Sequence, residues 1–184
     1  MHSLQPTRAS LNKLMAFSQS IHVYHMVRKM TITPKQTFWI MTTNLLLDAA
    51  IVEWSKVFGS WEEDTHWVKV IPIEMHTKMR NELYKVTGVT EEEWGIYRNT
   101  IVDYRNQTIS HHDLNPTVEK TPKFEIGIVA ANYMFDCIRS YSEQNELGGI
   151  PRSLETWSNT VTSNMKVIVK KAFEASALLG ANVP

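Results

Sequence analysis

Residues 34–58 place the strongest constraint on what this chain can fold into. Phe38, Trp39, Ile40, Met41, Leu45, Leu46, Leu47, Ala49, Ala50, Ile51, Val52, Trp54, Val57 and Phe58 leave almost no polar side on a helix drawn through them. A helix that is apolar all round has to be covered all round, which predicts a central position in a packed bundle. Thr33 is placed to cap it, Pro34 suits its first turn and Gly59 ends it. One narrow polar line interrupts the surface: Asn44, Asp48 and Ser55, at i, i+4 and i+11. A carboxylate inside such a helix is costly unless it is paired. The run from Phe38 to Val52, interrupted by Thr42, Thr43, Asn44 and Asp48, is too short and too polar to cross a bilayer.

The remaining segments read as helices around that centre. Residues 10–30 have helical spacing, with Ser10 as N-cap. Residues 60–72, with two tryptophans and three consecutive acids, read as a loop. A shorter helix follows over 73–86 and ends at Gly88. Thr90-Glu-Glu-Glu93 has the form of a capping box and opens a helix that runs to Asp113. Asp113-Leu-Asn-Pro116 stops it. Residues 123–145 give another amphipathic helix, with Ile126, Val129, Ala130, Tyr133, Met134, Cys137 and Tyr141 predicted on its core side. Ser153 caps a last helix through Leu179. Only seven Gly and seven Pro occur in 184 residues, which argues against a turn-rich β fold. The expected architecture is all-α: one domain over 1–184, built as a bundle of about five to six helices.

Composition excludes several classes. The single Cys137 forbids an intrachain disulfide framework and fits a reducing compartment. No apolar signal segment follows the first residues, so a cytoplasmic protein without membrane attachment is expected. Formal net charge is zero, which removes a global nucleic-acid signature, but the charge is unevenly distributed. Residues 1–47 carry five Lys or Arg and no acid. Residues 48–149 carry 17 acids against 10 bases, and residues 150–184 four bases against two acids. The terminal segments therefore promise a positive rim on an acidic body. No phosphate-binding loop, dinucleotide fingerprint, nucleophile elbow, zinc-protease motif or Cys pair is present. No cofactor is expected.

The chemistry-bearing stretch is Trp94–Asp113. At 100° per residue, Trp94, Tyr97, Ile101, Val102 and Ile109 share one side. Arg98, Arg105 and His112, seven apart, fall within about 40° of Trp94 on that wheel. Cations on a packed face need partners, either structural acids or a substrate. Asp48 is a natural acid to meet Arg98 or Arg105, as a packing salt bridge or as part of an active site.

Arg105-Asn-Gln-Thr-Ile-Ser-His111 has the form R-N-x4-H. With this motif and the tryptophan-rich stretch LLLDAAIVEWSKVFGSWEEDTHWVKV at 45–70, the chain resembles HEPN-domain proteins, in particular their abortive-infection, phage-defence branch. The second segment carrying the resemblance is 91–116, and with the following helix it covers about residues 38–142. The resemblance implies a helical homodimer with Arg and His lining one cleft, and in many members a metal-independent endoribonuclease. Carried onto this chain, the motif residues are Arg105, Asn106 and His111; Arg98 and Asp48 are supporting candidates from the helical pattern, not from the resemblance. His111 is the alignment's choice, whereas α-helical spacing favours His112, so both stay open. Where relatives controlled by a nucleotidyltransferase often carry Tyr two places after the His, this chain has Asp113, which puts that kind of antitoxin partner in doubt.

The chemistry suits these residue types. RNA brings its own nucleophile, the 2′-hydroxyl. His moves protons near neutral pH, and Arg can hold nonbridging phosphate oxygens as charge develops. A second class of reading is a non-catalytic bundle that binds RNA, a nucleotide or a partner protein. A third is a metalloenzyme using His22, His25 and His66.

Overall fold

A computed structural model describes residues 4–30, 37–110, 121–142 and 147–180. Every regular element among the described residues is helical, with no strand: α1 (Leu4–Arg28), α2 (Thr37–Phe58), α3 (Trp67–Val70), α4 (His76–Thr87), α5 (Glu91–Tyr104), α6 (Glu125–Ser140) and α7 (Leu154–Gly180). A 3₁₀ turn, Ile73–Met75, leads into α4, and a π-helical turn, Arg105–Ser110, continues α5. The protein is thus an all-α bundle.

The C-terminal half of α2 forms the core, as its apolar circumference predicts. Ala50, Ile51, Trp54, Val57 and Phe58 are buried, and the Trp54 and Phe58 rings stack with centroids 4.8 Å apart. Trp94 on α5 packs on both, at 6.0 and 5.8 Å. The N-terminal half departs from the expectation. Trp39, Thr43 and Leu47 are buried, but Phe38, Met41 and Leu45, at i, i+3 and i+7, are exposed. That half is covered on one side only, because Trp39 belongs to a smaller cluster with Val23 and Val27 of α1 and Met165, Val169 and Phe173 of α7.

Three local expectations change. First, α1 begins at Leu4, so Ser10 lies inside it rather than capping it. The buried Ser10 hydroxyl sits 2.8 Å from the carbonyls of both Pro6 and Thr65, tying α1 to the loop after α2. Second, the segment read as a loop holds α3, capped by His66, whose Nδ1 accepts from the Val68 N–H at 3.3 Å. Third, the packed face of α6 is turned by about one residue. Val129 and Tyr141 are exposed, while Gly127, Ala131, Phe135 and Ile138 are buried. Burying Phe135 and Ile138 removes more apolar surface from water than burying Val129 does.

Other boundaries follow the sequence. Gly88 takes the left-handed conformation, φ 71°, at the end of α4. The Thr90–Glu93 capping box forms reciprocally, with Thr90 N–H donating to the Glu93 carboxylate at 2.8 Å and Glu93 N–H to the Thr90 hydroxyl at 3.2 Å. Ser153 caps α7 through the Thr156 N–H at 3.3 Å. No helix among the described residues is long and apolar enough to cross a membrane.

Candidate functional site

α5 is held against the core by Trp94, Tyr97 and Ile101, and Tyr97 donates its hydroxyl proton to the Lys123 carbonyl at 3.0 Å. That register turns Arg98 and Arg105 towards the C-terminal end of α2. The two arginines meet different partners there.

Arg98 is half-buried and committed to structure. Its Nε donates to the Phe58 carbonyl at 2.7 Å, its Nη2 to the Gly59 carbonyl and its Nη1 to Asn99 Oδ1 at 3.0 Å. The last carbonyls of a helix have no intrahelical partner, and a guanidinium there also complements the negative end of the helix dipole. Burial lowers the Arg98 pKa without neutralising it. His66 serves the same helix end through its own bond to the Phe58 carbonyl. Burial first, and then the Arg98 charge, push the His66 pKa down to about 4.

Arg105 is the first residue of the π-helical turn. Its backbone N–H bonds to the Ile101 and Val102 carbonyls. Its Nε and Nη2 both donate to Asn106 Oδ1, at 3.1 and 2.8 Å. The guanidinium has five N–H donors, so this clamp leaves others for a further acceptor. Arg105 lines an open cavity of about 530 Å³ with Val52, Lys56, Ser60, Glu62 and Glu63. Among the described residues, no carboxylate lies within ion-pair distance of Arg105. Lys56 is turned to Glu53, 3.2 Å away, which Lys13 also meets at 3.1 Å.

The expected ion pair between Asp48 and an arginine does not form. Asp48 is half-buried on α2, and burial raises its pKa. Its charge acts instead on Tyr104, whose phenol pKa is raised by burial and further by Asp48 and Tyr24. One helical turn separates Asp48 from Val52, which lines the Arg105 cavity. Asp48 therefore sits near the site without bonding to Arg105.

His111 and His112 lie outside the described residues. The α-helical spacing that favoured His112 does not run through 105–110, because a π turn has a longer hydrogen-bonded period. The structure therefore brings Arg105 and Asn106 together and sets Arg98 apart as a structural cap. Sequence reasoning missed a second recess, of about 350 Å³, beside Arg98. Trp61, His66, Trp67, Arg80 and Trp94 are among its walls, and the Arg80 guanidinium lies 5.6 Å from the Trp67 ring centroid. The tryptophans at 61 and 67 were its only signal.

The three histidines of the metalloenzyme reading do not assemble. His66 is bonded to the Val68 N–H and the Phe58 carbonyl, and the Nδ1 of His22 is 2.7 Å from the Ser18 carbonyl. Among the described residues, no group of three or more His, Cys, Asp or Glu side chains is arranged to hold a metal ion. No protein-family model, curated protein or solved structure matches the chain.

Proposed function

We propose that this chain is a HEPN-type endoribonuclease, acting in the cytoplasm as a homodimer in phage defence or as a toxin, and cleaving RNA without a metal ion. The observation that carries the reading is Arg105: half-buried on a cavity wall, clamped by Asn106, and without a carboxylate partner among the described residues. A cation held this way is ready for a phosphate at little reorganisation cost. The π turn supports the reading, since such turns are frequent at functional sites. The exposed stripe of Phe38, Met41 and Leu45 offers a second copy an apolar surface.

In the proposed reaction the 2′-oxygen attacks phosphorus and the bond from phosphorus to the 5′-oxygen breaks. A histidine from the 111–112 pair takes the 2′ proton, and an imidazolium protonates the leaving 5′-oxygen. Arg105 holds the nonbridging oxygens as their charge grows. The products are a 2′,3′-cyclic phosphate and a 5′-hydroxyl. Purified protein should cut single-stranded RNA in EDTA. Arg105→Ala should lower the rate by about 10²–10³, the loss expected on removing one donor to a developing oxyanion, with an unchanged melting curve. Equal cutting by the variant and the parent would refute the proposal. His111→Ala and His112→Ala, measured separately, identify which imidazole is used.

A second reading, a non-catalytic bundle that binds RNA, a nucleotide or a partner protein, draws on the cavity's charge. Glu62 and Glu63 balance Lys56 and Arg105 on its lining, which weakens its pull on a phosphodiester. Binding of RNA without any cutting would select this reading.

A further inference from the structure

The sequence places its excess positive charge in the terminal segments, and the fold brings those segments together. α7 packs along α1, joined by the Ser18 and Ser158 hydroxyls at 2.5 Å. Between the two helices lies a groove of about 670 Å³. Lys29 of α1 and Lys166 and Lys170 of α7 line it, with His22, His25 and Phe173. A second recess of about 520 Å³ shares His25 and Lys29 and continues past Arg28 to Lys123. Among the described residues the two together present five Lys or Arg side chains against two carboxylates, Glu125 and Glu174, the latter 3.8 Å from the Lys170 ammonium. This excess stands out on a chain with zero formal net charge. Lys166 and Lys170 are one helical turn apart on the same face.

We infer that this track is a binding groove for single-stranded RNA, separate from the Arg105 cavity. The two recesses share His25 and Lys29, together offer more room than one phosphate needs, and both are lined by cations, as a polyanion requires. Phe173, Met26 and Met30 line the first recess and Tyr24 the second, giving bases apolar and aromatic surface beside the charged rim. The inference rests on the reading of the chain as an RNA-directed protein, and it assigns where the strand is held rather than how it is cut.

The test measures binding of a fluorescein-labelled single-stranded RNA by anisotropy, in the Arg105→Ala background so that the RNA is not consumed. The combined variant Lys29→Ala, Lys166→Ala, Lys170→Ala should weaken binding at least tenfold. It should also flatten the slope of log affinity against log salt by about 2, since each phosphate contact on a single strand contributes roughly 0.7. A control variant removes the same charge elsewhere: Lys69→Ala, Lys78→Ala, Lys85→Ala. Equal losses in the two variants, unchanged affinity and slope in the groove variant, or no RNA binding by the parent would each overturn the inference. So would a groove variant that keeps RNA binding but loses binding to phosphatidylglycerol-containing vesicles, which would assign the track to a membrane. Failure of the nuclease reading has a different signature: Arg105→Ala and the parent cut alike, while the groove variant still loses RNA.

Discussion

Replacing His66 by Asn probes how the fold closes over the end of α2. The imidazole is 3% exposed, and both nitrogens are used, one by the Val68 N–H and one by the Phe58 carbonyl. Burial, reinforced by Arg98, holds its pKa at about 4 against an ordinary value of 6.5, and the bond to Phe58 offsets this only in part. Between those two values the unfolded chain binds more protons than the folded one. The contribution of the neutral ring is therefore complete above pH 6.5 and is lost as pH falls towards 4. Single-site linkage makes that loss about 2 kcal/mol at pH 5 and about 3 kcal/mol at pH 4. Asn can still cap α3 but does not titrate. Urea unfolding followed by tryptophan fluorescence at pH 7, 6 and 5 gives the stability of each protein. The wild-type value minus that of His66→Asn should fall by about 2 kcal/mol from pH 7 to pH 5. Acid-labile carboxylates elsewhere cancel in this difference. A difference that does not change with pH would refute the account of His66 as a buried neutral cap.

Arg98→Met keeps most of the side chain's length but strips the Phe58 and Gly59 carbonyls of their charged donor. It should cost about 2 kcal/mol in urea unfolding, and a change below about 0.5 kcal/mol, the scale of an ordinary surface substitution, would contradict the capping role. Gly127→Ala would place a Cβ 2.6 Å from the Tyr97 hydroxyl and 3.3 Å from the Trp54 indole nitrogen. The resulting overpacking should destabilise by about 1–3 kcal/mol, whereas an unchanged melting temperature would mean that α5 and α6 are not this close.

Much of the fold was written in local chemistry. The Thr90–Glu93 capping box, the Gly88 stop and the Ser153 cap each depend on residues within four positions of one another, so a linear reading finds them. What failed depended on neighbours distant in sequence. Val129 and Phe135 are both apolar positions on α6, and only the arrangement of the surrounding helices decides which one is covered. Ser10 has the composition of a cap, yet its partner is the Thr65 carbonyl, 55 residues away. The apolar circumference of α2 identified a central helix but not where coverage stops, because Phe38, Met41 and Leu45 are as apolar as the residues buried below them.

The cations on the packed side of α5 show the same division within the candidate site. Helical spacing put Arg98 and Arg105 on one face, and both do turn towards the end of α2. The sequence offered two kinds of partner, an acid such as Asp48 or a substrate phosphate. Arg98 took a third kind, the terminal carbonyls of a helix, which no side-chain pattern announces because every residue carries one. That use commits Arg98 to structure and leaves Arg105 as the candidate for the proposed chemistry, with its side chain bonded to its neighbour Asn106 on the wall of an open cavity. If Asn106 sets the direction of the guanidinium, Asn106→Ala should lower the rate of RNA cutting while leaving stability within about 0.5 kcal/mol, as for an exposed position. The conservative Asn106→Asp should restore the orientation but add a charge that competes with phosphate, raising KM more than it lowers kcat. Equal kinetics in all three proteins would mean that the clamp on Arg105 has no part in positioning it.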